Sequence, residues 1–368
     1  MVETPATARN LFGLKPWSVA LPVLALAAIL IGKPAGLLLA LAVGLLLCGA
    51  ILAAVYHAEV LAHYLGEPFG TLTLALAVTV IEVSLIVSIM LSDGAAAQAL
   101  ARDTLIAAIM ITINGIVGIC LLAGGRMHHE QSYTQSGVSA GLAILATLSV
   151  LTLVLPNFTI SAQGAFYNPQ QLIFVAVVSL IIYGTFVVAQ TIRHREYFLH
   201  KLPDDGGDDH AHQAPVPRRK ALASGAMLVI ALIGVVLLAK NLSPMIEAGV
   251  AAVGAPRALV GIIIATLVLA PEGFAALGAA RANRVQTSLN LAIGSALATI
   301  GLTIPAVAVV ALVLDLDLEL GLSMRGIVLL ALTLLVATVT LSRGRTTVVQ
   351  GIVHLVIFAT FLFTTIVP

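Results

Sequence analysis

The stretch "ALAVTVIEVSLIVSIM", residues 75–90, carries a single charge, Glu82, in the middle of an otherwise uncharged run. As a helix it is about 24 Å long, most of the way across the ~30 Å hydrocarbon core of a bilayer. The rest of the chain decides whether it lies in a membrane. Of 368 residues, 60% are hydrophobic and 10% charged, with a mean hydropathy of +1.09. That leaves too little polar surface to cover a water-soluble globule, so the chain is an integral membrane protein. Runs such as 35–55 and 221–239 are apolar throughout, without the alternation of a barrel strand, so the fold class is all-α.

Cutting at charges, prolines and glycines gives about eleven transmembrane helices, over 17–32, 35–56, 69–91, 104–124, 138–156, 171–192, 221–240, 258–280, 286–313, 326–341 and 348–366. Lysine and arginine orient them. Thirteen fall on the side of the N-terminus, against Lys33, Arg102, Lys240, Arg257 and Arg325 on the other. The N-terminus is therefore expected in the cytoplasm and the C-terminus outside. The polar loop "RHREYFLHKLPDDGGDDHAHQAPVPRRK" divides the chain. The expected organisation is a tail with an extra N-terminal helix (1–34), a five-helix repeat (35–192), a cytoplasmic linker (193–220) and a second five-helix repeat (221–368). Five spans per half send corresponding helices across in opposite directions, the inverted-repeat arrangement that secondary transporters use to build a midplane site. "ALAVTVIE" (75–82) lies over "ATLVLAPE" (265–272), both in the second helix of their half.

Of the seventeen acidic residues, this topology leaves two at depth, Glu82 and Glu272, with no lysine or arginine deep enough to neutralise them. An ionisable group there costs roughly 2.5–3.5 kcal/mol, so it normally faces a partner or a wet cavity. The bland reading is a protonated glutamate making one structural hydrogen bond. Two facing carboxylates without a basic partner, however, are compensated by a cation or by protons, and a site that holds either is the core of an exchanger. Hard cations take oxygen ligands, and the neighbouring polar groups are oxygen donors. Thr79 shares a face with Glu82, Thr112 and Asn114 lie in the fourth span, and Ser295 and Thr299 are one turn apart in the ninth. Pro271 cannot donate to the carbonyl of Leu267, which is thereby free for an ion. For each hydroxyl the alternative is a bond back to its own helix.

At this point "GEPFGTLTLALAVTVIEVSLI" (66–86), "LAPEG" ending at Gly273 and "AIGSALATIGLTIP" (292–305) resemble the two signature repeats of the cation/proton exchanger family, within the calcium:cation antiporter superfamily. The resemblance covers most of the chain and is strongest to bacterial calcium/proton or sodium/proton antiporters, which implies a bacterial inner membrane. It implies that Glu82 and Glu272 exchange cation and protons by alternating access, and that Gly294 and Ser295 are the glycine-serine of the second repeat. Thr79 and Leu269 stand where the family has asparagine, and Ala107 with Ala108 where it has glycine-serine, so fewer oxygen ligands remain. Exchange of Ca2+ for protons is the first expectation. Na+ or K+ exchange for protons is its rival, and an uncoupled cation channel is the reading of another class.

Cys48 and Cys120 sit in apolar runs and read as small core residues. Carboxylates and imidazoles in "DDGGDDHAH" (204–212) could bind a metal, although a solvated linker explains them. His57, His63, His128 and His129 fall at membrane edges, and His354 inside the last span reads as a helix-packing residue. There is no HExxH, GxSxG or phosphate-loop pattern, so neither an enzyme nor an ATP-driven pump is expected, nor a resident cofactor. The expected partners are lipid, inorganic cations and protons. No basic cluster suggests nucleic acid, and a homo-oligomer is left open.

Overall fold

A computed structural model describes residues 13–30, 32, 34, 36–66, 69–93, 98–198 and 216–367. The acidic and histidine-bearing segment 204–212, the end of the N-terminal tail and Lys33 lie outside the described residues. The described chain forms helices α1 (Pro16–Ile29), α2 (Leu37–Leu65), α3 (Phe69–Asp93), α4 (Leu100–His128), α5 (Gln135–Phe158), α6 (Pro169–Arg193), α7 (Arg218–Ala252), α8 (Ala258–Arg281), α9 (Val285–Leu314), α10 (Met324–Leu341) and α11 (Val348–Ile366). Nine are long and apolar enough to cross a membrane. The others are α1, which at 14 residues spans about 21 Å, and α3, whose apolar part is Ala75–Ser88.

Helix ends follow local chemistry. Pro16 occupies the first turn of α1, where its missing N–H costs nothing. At the start of α6, Asn168 and Gln171 cap each other, side chain to backbone N–H, at 2.8 and 3.1 Å. Gly66, at φ 68°, ends α2; this left-handed conformation suits glycine. α2 thus runs nine residues past the expected Tyr56, through "HAEVLAHYL", and carries the exposed Glu59 near its end. Likewise α7 continues through Lys240 and Pro244 to Ala252.

Two compact units result, and each draws on both halves of the sequence. One contains α1, α2, α3 up to Ile81 and α7 up to Met245. Here α1 packs along α2, the rings of Trp17 and Tyr56 are 5.4 Å apart, and buried His57 bonds through Nε2 to the Ser18 carbonyl at 2.8 Å. His57 is therefore committed to helix packing. Cys48 is exposed on α2, not in a core as expected, because this helix presents much of its apolar length outward.

The other unit holds α3 from Glu82, the end of α7, and α4–α6 with α8–α11. Its principal pairings are α9 on α6, α11 on α4, α4 on α8 and α9 on α8. The α4/α11 seam is close because glycines face it. A Cβ on Gly351 would lie 2.5 Å from Leu122 N, and one on Gly118 2.9 Å from Leu355 Cγ. Cys120 is buried beside Ala276 and Ala280. At one end, strand β1 (Gln131–Ser132) pairs antiparallel with β2 (Arg345–Thr346), and Gln131 Nε2 donates to Ala280 O and Asn283 Oδ1. At the other, Arg102 binds Glu319 and the Gly321 carbonyl, Gln98 donates to Asp317, and Asn157 donates to Leu322 O. Loops that alternate crossing should place together do meet.

Candidate cation site

Glu82 lies in α3 at only 2% exposure. Its Oε2 accepts a hydrogen bond of 2.9 Å from the Thr303 hydroxyl of α9, and Thr299, one turn earlier on the same face, interacts with the carboxyl. Thr299 and Thr303 are both buried and four residues apart, so one helix face presents two hydroxyls to one carboxylate. Glu272 of α8 is within electrostatic range of Glu82, and α8 packs directly on α9. Ion pairs join Arg102 with Asp103 and with Glu319, and Arg345 with Glu130. None reaches Glu82. Neither α3 nor α9 contains a lysine or arginine, and α8 only its terminal Arg281.

Of the residues singled out in the sequence, the structure brings together Glu82, Thr299 and Glu272. Ser295 shares the Thr299 face one turn away, and both it and Gly294 are half-buried. A Cβ on Gly294 would meet nothing within 4 Å. α8 passes through Pro271 without a break, so the Leu267 carbonyl lacks its usual helical donor. The Thr79 hydroxyl donates to Ala75 O at 2.8 Å, and that of Thr112 to Ala108 O at 2.7 Å. These hydrogens return to their own helices. Asn114 is engaged elsewhere: its Nδ2 lies 2.8 Å from Thr333 Oγ1 and its Oδ1 3.0 Å from His354 Nδ1. Thr303 went unread in the sequence, although the spacing Ser295, Thr299, Thr303 continues the same stripe by one turn.

Such a site can hold a cation or protons between two carboxylates, with neutral hydroxyls around them. A family model described as sodium/calcium exchanger protein matches residues 34–192 and 223–367. The chain belongs to the sodium/calcium exchanger protein family. Within that family it is 46% identical over 323 residues to a Sinorhizobium fredii protein named as an ionic transporter, covering 88% of this chain and 87% of that one. It is 37% identical over 355 residues to the sodium-potassium/proton antiporter ChaA of Escherichia coli, covering 95% and 96%. Among solved structures, the H+/Ca2+ exchanger CAX superposes with a TM-score of 0.73 at 16% identity, covering 94% of this chain and 86% of that one. The chain is thus a multi-pass, all-α membrane protein of an exchanger family, whose activity is transport.

Proposed function

We propose that the chain is a secondary antiporter that exchanges a cation for protons at Glu82 and Glu272 by alternating access. The observation that carries this reading is the buried Glu82 carboxyl, held by Thr303 within range of a second carboxylate. A carboxylate here needs a compensating positive charge. When the cation leaves, protons supply it, and when protons leave, the cation does. The site therefore does not empty without taking up the other ion, which is what couples the two fluxes.

Sodium or potassium is the cargo we favour. The oxygen shell is thin, since the Asn114 carboxamide is bonded to His354 and Thr333, and Ala107 and Ala108 bring no side-chain oxygen. The Escherichia coli relative, similar over almost the whole chain, is a sodium-potassium/proton antiporter. Calcium is the second reading, favoured by charge: two carboxylates balance one divalent ion or two protons. The match of one family model to residues 34–192 and 223–367 supports two related halves. So does the reciprocal packing of α6 on α9 and of α11 on α4. Arg126, Arg281, Arg284, Arg343 and Arg345 gather at the β1/β2 end, which supports a cytoplasmic position for that end in a bacterial inner membrane.

The test is an ion panel in inverted vesicles, adding Na+, K+ or Ca2+ to an imposed pH gradient. The cargo ion collapses the gradient. Cation flux that moves no protons indicates a channel instead.

A further inference from the structure

His354 lies on α11, fully buried, and exchange at the carboxylates makes no use of it. Its Nδ1 is 3.0 Å from Asn114 Oδ1 and its Nε2 is 2.9 Å from Thr340 Oγ1. The hydrogens of this network follow from the orientation of the Asn114 carboxamide. Asn114 Nδ2 donates to Thr333 Oγ1 at 2.8 Å and lies 3.4 Å from Met110 Sδ, to which the Thr333 hydroxyl in turn donates; in this orientation the carboxamide oxygen is turned toward the ring. An amide oxygen only accepts, hence Nδ1 carries the hydrogen. In the neutral ring Nε2 then accepts from the Thr340 hydroxyl, which has the Val336 carbonyl at 2.7 Å as its alternative acceptor. No charged residue lies on α4 between Asp103 and Arg126 or on α10 between Arg325 and Arg343, so these helices bring no charge to the network.

Asn114 sits in a π-helical turn, Met110–Ile116, inside α4. Such a turn holds one residue more than the α-helix, and its relaxation would rotate one side of the helix against the other by about 100°. The turn packs against α8, which carries Glu272, and α9, which carries Thr299 and Thr303, as well as α10 and α11. It also contains Thr112. The register that lays Ala108 over Ser295 lays Asn114 over Gly301, and there α6 closes in with Tyr183: a Cβ on Gly301 would be 2.6 Å from Tyr183 Cβ. Equivalent points of the two halves are thus fastened by their flanking helices, one by ring packing and one by a hydrogen bond.

We propose that His354 is a positioning residue for cation binding: by holding the Asn114 carbonyl it keeps the π-turn of α4, and so the wall that α4 presents to α8 and α9, in the register the site needs. This rests on the assignment of exchange to Glu82 and Glu272.

The experiment compares wild type, His354→Leu and His354→Gln as full-length chains in proteoliposomes. It measures apparent KM and Vmax for each cation together with Tm. His354→Leu is expected to raise KM about tenfold, more than it changes Vmax. His354→Gln, whose amide can still donate to Asn114, is expected to stay within about threefold of wild type. A His354→Leu protein with lowered Tm and Vmax but wild-type KM overturns the proposal, because packing then explains the residue. If that variant cannot be recovered, Thr340→Val, which removes one hydroxyl, is expected to raise KM about threefold; an unchanged KM overturns it equally. Failure of the underlying assignment is separate, since it shows in the wild type as cation flux without proton movement.

Discussion

Replacing Thr303 by valine preserves the shape of the side chain and deletes the hydroxyl 2.9 Å from Glu82 Oε2. A hydrogen bond to a charged group contributes about 1.5–3 kcal/mol, one between neutral groups about 0.5–1.5 kcal/mol. The carboxyl is charged when it holds a cation and neutral when it holds a proton, so the hydroxyl favours the cation-holding form by the difference, about 1 kcal/mol. In competition between cation and protons this amounts to roughly a fivefold loss of apparent cation affinity. If the Thr303 oxygen also ligates the cation directly, the loss is larger. The assay is cation-dependent collapse of a pH gradient in inverted vesicles, with apparent KM read for wild type, Thr303→Val and Thr303→Ser. Serine keeps the hydroxyl and should stay near wild type. A Thr303→Val protein with unchanged KM and unchanged proton competition would refute the reasoning, because Glu82 would then not be the shared binding group.

Competition also sets the pH dependence: apparent KM should rise as pH falls, by about tenfold per pH unit for each proton displaced where the protonated form dominates. A KM independent of pH, measured with the gradient clamped, would separate cation from proton binding. At the α4/α11 seam, Gly351→Ala would press its Cβ against Leu122 N, 2.5 Å away. Backbone cannot yield as a side-chain tip can, so a loss of about 1–3 kcal/mol is expected, read as a lowered Tm in detergent. Outside the spans, the Tyr167 hydroxyl donates to Leu151 O, and burial pushes it up to about 12 from 10.0. Its stabilisation is therefore fully present below pH 10 and lost as pH rises toward 12. Tyr167→Phe should cost about 0.5–1.5 kcal/mol and flatten that alkaline decline in a Tm-against-pH series.

The helices were legible because a membrane forces charge to the ends of apolar runs, and Glu82 and Glu272 stood out as the exceptions. Ends were less legible: "HAEVLAHYL" looks polar enough to be a loop, yet α2 continues through it to Gly66, whose backbone closes the helix. Thr303 was within reach, one turn beyond Thr299 in a visible stripe. The bond between Asn114 and His354 was not, since 240 residues separate them and nothing local marks either as the other's partner. Nor does "MITINGI" advertise a π-turn, which depends on tertiary contacts around it. Sequence proximity also misplaced Cys48: an apolar run shows that a residue avoids water, not whether it faces protein or lipid.

The most direct test of the central claim uses Glu82→Gln and Glu272→Gln singly, in proteoliposomes that record cation uptake and proton efflux together. Glutamine keeps size and hydrogen bonding but holds neither exchanged charge, so each variant should insert and fold yet lose coupled exchange of every cation the wild type carries. Undiminished exchange in either variant would contradict the account.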